Sequence, residues 1–496
     1  MKRVVSAQEM RLYERERFAD GRADSLEWME RAAQGVDALL RERYGDQAAL
    51  VVCGGGNNGG DGFALLRMLK NRGVRCAGVL LADADRLVGD AKTNYLRALD
   101  CGVRFEAALS DALLSQYGVL VDAMFGTGLS RPLAGEYAEA VDRMNQSGKP
   151  IVAIDLPSGV DATSGAILGC AVCAAETVTF AFYKRGQLLF PGRGCCGEVT
   201  VHPLSHEPPD GAGDVFLLER TDAARLLPRR AQDSHKGKNG RALLCVGSAR
   251  YTGAALLSTA AALRVGVGLT TAAVPGAVKP AFSALPEAMA FAANGGADWD
   301  AAACEQAARL LEKSGAVCIG CGVGDGDVLP LVRAALRSGL PVVLDADALN
   351  QMAKSRQLLD MLHPNVVLTP HPVEMARLCG ESAEAILADP IGVARRYAQQ
   401  WNCVVLLKGA TSCVSSGGEV RLNISGNPGL AKGGSGDVLS GLITGLLAQG
   451  LPAFDAACCG AYLLGAAADE ALELLRERML LARDVIEAVE RTIEGW

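Results

Sequence analysis

Long apolar runs are missing from this chain. No stretch of about 18 uninterrupted apolar residues occurs, so no membrane span is expected. The opening residues, MKRVVSAQEMRLYERERF, turn acidic and basic at once and hold no long apolar segment, so no signal peptide is read there. Aromatic residues are scarce at 5%, and histidines number five. Positive charge is not in excess: 49 Lys and Arg face 56 Asp and Glu, a net charge of −7, so nothing suggests a nucleic-acid surface. Low-complexity tracts are absent although glycine reaches 58 residues; it gathers in short loops after apolar runs, as turns and ligand loops require. Zinc knuckles are absent too. Cys170/Cys173 and Cys318/Cys321 are Cys-x-x-Cys pairs, but neither has a second knuckle or a histidine pair close by, and AVCIGCGVG reads as a strand with small buried cysteines. Sixteen cysteines without a secretory leader suggest reduced thiols and a cytoplasmic location.

What is present is an α/β rhythm, run twice. At 496 residues the chain is too long for one ordinary core, and with 50% hydrophobic and 21% charged residues it has the composition of a well-packed enzyme of two large domains. A homo-oligomer is compatible with that apolar content. Residues 6–44 read as helical. Strand-like runs follow at 49–53, 77–82, 118–125, 150–159 and 176–182, with helical segments between them, which implies a parallel sheet covered on both faces. HPLSHEPPDGAGDV (202–215) breaks the pattern and is the expected domain boundary. The rhythm restarts with runs at 241–247, 269–274, 315–320, 341–347, 365–370 and 403–409. No internal repeat links the halves.

Three constellations in the first half stand at strand ends, the edge where open α/β sheets bind ligands. CGGGNNGGDGFALLRML places Asn57, Asn58, Gly59, Gly60 and Asp61 between a strand and a helix, with amides able to hold a phosphate. A glycine turn capped by Asp61 is the simpler use, but two asparagines, two glycines and an aspartate exceed what a turn needs. VDAMFGTGLSRPL ends an apolar run on Asp122, before Gly126, Thr127 and Gly128; IDLPSGVDATSG ends one on Asp155, before Ser158. A lone strand-end aspartate is often a helix cap. Two of them beside an asparagine-rich loop make oxygen ligands for a hard cation plus a spare carboxylate.

NNGGDG, VDAMFGTGLSR and DLPSGVDATSG resemble the N-terminal domain of the bifunctional NAD(P)H-hydrate repair enzyme family, over about residues 1–212. The resemblance implies a Rossmann-like three-layer αβα sandwich that epimerises R- and S-NADHX and NADPHX, the hydrates of damaged NAD(P)H. It implies that Asn57, Asn58, Gly59, Gly60 and Asp61, with Gly126, Thr127, Gly128, Leu129, Ser130, Arg131 and Pro132, hold the hydrate. Asn58, Asp122 and Ser158 would hold a potassium ion, and Asp155 would contact the substrate. The epimerised C6 carries a hydroxyl beside the ring nitrogen, whose lone pair can open or dehydrate that centre. The enzyme then needs a proton shuttle, a role open to Asp155.

The second half offers HKGKNGRALLCVGSARYTGA with Gly253 and Ala254, CIGCGVG with Gly322, TPHPVEMARL with His371 and Glu374, LLKGATS with Lys408, and NPGLAKGGSGDVL with Asn427 and Asp437. Taken singly, His371-Pro372 could be a helix start and Lys408 a solvated strand end. A helix cap does not need the glycines of GGSGD. Together they resemble the ribokinase-like fold, where amides at a helix N-terminus stabilise phosphoryl charge and an aspartate deprotonates the attacking hydroxyl. More narrowly they resemble the ADP-dependent dehydratase domain of the same repair family, over about residues 216–496. That implies Gly253, Ala254, Gly322, His371 and Asp437 against the S-hydrate. Lys408, Gly409, Ala410, Thr411 and Ser412, with Asn427, Gly433, Gly434, Ser435 and Gly436, would hold ADP with a magnesium ion. Ser435 stands where threonine is common and keeps the hydroxyl. Two other readings stay open on the motifs alone: a small-molecule kinase, and a first domain that only binds.

Overall fold

The computed structural model describes residues 1–205 and 213–496. Of the expected boundary segment, 206–212 lie outside the described residues. Lys2–Gly213 and Asp214–Trp496 form separate compact units.

In the first unit one seven-stranded sheet is formed by Ala49–Cys53, Cys76–Leu80, Phe105–Glu106, Val119–Ala123, Ile151–Ile154, Glu176–Phe180 and Glu198–His202. Every pairing among them is parallel. Strands buried on both faces read as unbroken apolar runs, and ALVVC is buried at every position. Alternate residues enter different cores: Val51, Val121 and Val152 pack with the N-terminal helices, Leu50, Leu120 and Ile151 with Ala140, Val141 and Met144. That makes three layers. From Ala49–Cys53 the chain adds Cys76–Leu80 and Phe105–Glu106 on one side, then returns to lay Val119–Ala123 on the other. The crevice at this reversal opens beyond Cys53 and Ala123, which are paired in register.

In the second unit the sheet runs Met289–Ala292, Leu269–Val274, Arg241–Cys245, Ala316–Ile319, Val342–Leu344, Val366–Leu368, Val404–Leu407, Ser412–Ser415, Val420–Asn423, Val215–Leu217. It is parallel as far as Val404–Leu407; the pairs either side of Ser412–Ser415 are antiparallel. The order reverses between Arg241–Cys245 and Ala316–Ile319, again opening a crevice. Helix Ser435–Ala448 is buried at every position from Val438 on, as a helix apolar all round must be. It lies against helix Thr252–Arg264 so closely that a Cβ on Gly441 would stand 2.1 Å from Ser258 O, and one on Gly445 2.4 Å from Val265 Cγ1.

The helical stretch expected at 6–44 forms as Ala7–Ala19 and Ser25–Tyr44. The expected strands form, Ala49–Cys53 and Leu269–Val274 with the expected ends and the others shorter at one or both, and several of the residues trimmed become loops at the two sites. Strands Lys2–Val5, Phe105–Glu106, Tyr183–Lys184, Glu198–His202, Met289–Ala292, Ser412–Ser415 and Val420–Asn423 were not foreseen. Several are two to four residues long, and EVTVH is only half-buried, so none leaves a long apolar run to read.

Candidate active sites

Helix Asn57–Asn71 begins at Asn57, so NNGGDG is its first turn and not a loop before it. Its glycines serve close packing: a Cβ on Gly59 would stand 2.0 Å from Gly54 O, and one on Gly60 2.7 Å from Met29 Sδ. From the sequence the Gly-x-Gly-x-x-Gly fingerprint is expected to be absent here; that is corrected, because Gly54, Gly56 and Gly59 stand at its spacing at a strand-to-helix turn. The crevice holds a cavity of about 420 Å³ lined by Asn57, Asn58, Asp61, Gly126, Thr127, Gly128, Leu129 and Asp155. Ser130, Arg131 and Pro132 are exposed and do not line it.

Asp155 sits in the left-handed region at φ 66°, a conformation that aspartate tolerates and that is held where the surroundings impose it. Its Oδ1 meets Lys184 Nζ at 2.7 Å, its Oδ2 accepts from Thr127 N at 3.2 Å, and its carbonyl accepts from Gln187 Nε2 at 2.6 Å. Lys184, 1% exposed, also donates to Thr179 Oγ1 and Phe180 O. Glu14 and Asp61 line the same cavity. Burial, then the charge of Asp155, pushes Glu14 up to about 7; burial, Asp155 and Glu14 push Asp61 well above the carboxylate range. Beneath lies Asp122, fully buried, accepting from Ser158 N at 2.7 Å, Ser158 Oγ at 2.7 Å and Met124 N at 3.1 Å. Burial raises it to about 6 despite those bonds.

The second unit's cavity, about 660 Å³, is lined by Asp345, His371, Lys408, Gly409, Ser412, Asp437 and the run Gly433, Gly434, Ser435, Gly436. Gly434 has φ 102° and caps helix Ser435–Ala448, which sets Asp437 in the first turn. Lys408 Nζ meets Asp345 Oδ1 at 2.7 Å and Glu374 Oε2 at 3.8 Å; Ser440 Oγ donates to Asp345 Oδ2 at 2.8 Å. Burial pulls the Lys408 ammonium down, but the charges of Asp345 and Glu374 outweigh it and leave it raised. His371 caps helix Pro372–Cys379, its Nδ1 accepting from Val373 N at 3.1 Å, while Glu374 Oε2 accepts from His371 N at 2.8 Å. Burial and then the charge of Asp345 push Asp437 up to about 6, against a hydrogen bond from Cys321 and the charge of Lys408. The helix dipole, which favours the ionised form, is thus outweighed by burial, yet at pH 7 a carboxyl of this kind is still roughly 90% ionised.

Residues 242–491 match the NAD(P)H-hydrate dehydratase family, and residues 25–186 match the YjeF-related protein N-terminus family. The bifunctional NAD(P)H-hydrate repair enzyme Nnr of Moorella thermoacetica is 37% identical over 98% of this chain and 95% of its own length. The chain belongs to the bifunctional NAD(P)H-hydrate repair enzyme family. The fold agrees. An ADP/ATP-dependent NAD(P)H-hydrate dehydratase from Bacillus subtilis, co-crystallised with ATP and Mg2+, superimposes with a TM-score of 0.51 at 31% identity, covering 57% of this chain and 99% of that one. A ribokinase-like superfamily protein from Enterococcus faecalis gives 0.51 at 25% identity, over 58% and 99%. The chain is thus a Rossmann-like unit followed by a ribokinase-like one.

Not every residue implied by the family resemblance reaches a cavity. Gly253, Ala254 and Gly322 lie together at the second crevice, where a Cβ on Gly322 would stand 2.6 Å from Ala254 Cβ, but they do not line the 660 Å³ cavity. Neither do Ala410, Thr411 and Asn427; Asn427 Nδ2 donates instead to Asp469 Oδ1 at 2.9 Å. The sequence reading missed Glu14, Lys184 and Asp345. Asp345 ends the run PVVLDAD just as Asp122 and Asp155 end theirs, so that signal was available. Glu14 and Lys184 gave none: each belongs to a segment that reads as a solvated face.

Proposed function

We propose that the chain repairs hydrated nicotinamide cofactors in the cytoplasm. Its first unit interconverts R- and S-NAD(P)HX, and its second converts S-NAD(P)HX to NAD(P)H with ADP, giving AMP and phosphate. The observation that carries the reading is Asp437. It is a half-buried carboxyl in the first turn of a glycine-capped helix, in the same cavity as Lys408. Asp437 takes the proton of the C6 hydroxyl as that oxygen attacks the terminal phosphoryl of ADP, and AMP leaves. The amides of Gly433 to Gly436 and the Lys408 ammonium meet the charge on the transferred group. The new C6–O–phosphate bond breaks as the ring nitrogen lone pair expels phosphate, and loss of a C5 proton restores the dihydropyridine. A general base contributes roughly 10²–10⁴-fold; the amides and lysine supply the remainder.

In the first unit Asp155 and Lys184 exchange a proton with the C6 hydroxyl, while the amides of the Asn57 turn and of Gly126 to Leu129 seat the nucleotide. A potassium ion suits Asp122, Ser158 and Asn58. Asp122 is a fully buried carboxyl whose hydrogen bonds come from neutral donors. The ion would supply a fixed positive charge under the loop that holds the substrate. Magnesium would come with the nucleotide: among the described residues no group of three or more His, Cys, Asp or Glu could cage a metal, and Mg2+ is commonly held through phosphates. The ATP and Mg2+ in the Bacillus subtilis crystals support this.

The test is recovery of NADH absorbance from mixed hydrates with ADP, with ATP and with neither. Complete recovery is expected with ADP and none without nucleotide. Recovery independent of nucleotide would overturn the phosphoryl route.

A further inference from the structure

Helix Ala7–Ala19 forms a wall of the first unit's cavity, and it is pinned at two points. Arg185 Nη2 donates to both oxygens of Glu9 at 2.9 Å, and the ring of Tyr13 meets that of Phe182 edge-on at 5.0 Å. Phe182 and Arg185 bracket Lys184, which holds Asp155 at 2.7 Å. The helix is therefore fixed against the turn that carries the Asp155–Lys184 pair. Met10, Glu14 and Phe18 recur every four residues and so share one helix face, and all three line the cavity. An acid between two apolar side chains has no packing reason to face inward. Among the described residues no hydrogen bond or ion pair engages the Glu14 carboxyl. Asp155, by contrast, is engaged on both oxygens, by Lys184 and by Thr127 N.

We propose that Glu14 is a second catalytic residue of the epimerase, serving the ring nitrogen N1 while Asp155 and Lys184 serve the C6 hydroxyl. The inference rests on the first unit being the epimerase. C6 carries both a hydroxyl and N1, so it can invert by opening. The hydroxyl proton passes to the Asp155–Lys184 pair, C6–O becomes a carbonyl, and the C6–N1 bond breaks. Its electron pair goes to N1, which takes the proton of Glu14. Rotation about C5–C6 turns the other carbonyl face to N1. Closure reverses each transfer: N1 attacks C6, its proton returns to Glu14, and the oxygen regains its own from the pair. Both partners end as they began, so the cycle needs no co-reactant. Such a donor must hold a proton near neutrality and still release it. Glu14, pushed up to about 7 by burial and then by the charge of Asp155, meets both demands. Asp61, pushed well above the carboxylate range, holds its proton throughout. The charged groups around Glu14 are Asp61 on helix Asn57–Asn71, Asp90 on helix Gly89–Asp100, Asp155 and Lys184 at the sheet edge, and Arg11 on its own helix. Helix Ser25–Tyr44 lends the cavity no charged group.

The experiment follows interconversion of a single NADHX epimer by NMR, using the full chain without ADP so that the second unit is idle. kcat/KM is measured against pH for wild type, Glu14→Gln and Glu14→Asp. Wild type should lose rate about tenfold for each unit above pH 7, as Glu14 sheds its proton. Glu14→Gln keeps the shape and removes the acid. It should lower kcat/KM by roughly 10²-fold and abolish the alkaline limb, with KM held within about threefold. Glu14→Asp should keep the limb and recover part of the rate. Thermal melts of both variants register any loss of folding. A wild-type rate in Glu14→Gln, an alkaline limb that survives in it, or a limb missing from Glu14→Asp would overturn the inference. Wild type that leaves the epimer unchanged would overturn the epimerase reading itself, a failure distinct from these.

Discussion

Each unit sets a strand-end aspartate against a lysine at 2.7 Å, Asp155 with Lys184 and Asp345 with Lys408. Each places a residue with positive φ at that corner, Asp155 itself at 66° and Ala346 at 48°. The pairs are nonetheless used differently. In the first unit the paired aspartate faces the cavity, and its second oxygen is held by Thr127 N. In the second unit the paired aspartate also lines its cavity, but its second oxygen is taken by Ser440, and a further carboxyl, Asp437, stands on a helix end beside it. The difference follows the chemistry. Exchange of a proton with one hydroxyl can run between partners already joined. An attack on a phosphoryl group needs a carboxyl free to keep the alcohol's proton while a separate cation meets the phosphate.

Breaking the contrast at its sharpest point means Asp437→Asn. Dehydration should fall by roughly 10²–10⁴-fold, ADP binding by calorimetry should persist because the amides remain, and epimerisation should be untouched. The converse is Asp155→Asn, assayed by NMR on a single hydrate epimer. Interconversion should drop by at least about 10²-fold; repair of R-hydrate should then stall while repair of S-hydrate continues. Lys184→Met probes whether the first pair is needed as a pair. Removing one partner of a buried pair costs on the order of 3–5 kcal/mol, so a denaturant titration should show the first unit weakened, whereas Asp437→Asn should leave both units as stable as before. A milder probe is pH. The base works ionised and Asp437 sits at about 6, so dehydratase kcat should be near its plateau at pH 7. It should fall about tenfold for each unit below 6, recovering when pH is restored.

The smallest effect concerns support and not chemistry. A Cβ on Gly441 would stand 2.1 Å from Ser258 O and 2.8 Å from Ala261 Cβ. Gly441→Ala should destabilise the second unit by about 1–3 kcal/mol, read as a lower melting temperature, with residual activity little changed at ambient temperature.

The strands that build both crevices were legible because parallel interior strands have no polar face to interrupt them. Asp122, Asp155 and Asp437 were legible because an acid at the end of an apolar run, or among glycines, has no packing reason to be there. The partners of those acids were not. Lys184 follows its strand within TFAFYKRG, and only the fold of that turn brings it under Asp155. Glu14 lies in RLYERERF, where alternating charge reads as a wet helix face, and its proximity to Asp155 is tertiary. Cys321 is buried as expected, but it lies beyond its strand, and the glycines on either side of it were the clue that its backbone turns there.

The glycine contacts between helix Ser435–Ala448 and helix Thr252–Arg264 bear on how the second site behaves in time. Where Gly441 and Gly445 admit no Cβ, the ridge of one helix seats against the backbone of the other at a single depth. A shaft held that way has little freedom to slide or roll, and the amides at its head keep their direction whether or not an anion is present. The polar field that meets the migrating phosphoryl group is therefore set before the nucleotide arrives. Little reorganisation energy is left to be supplied during turnover.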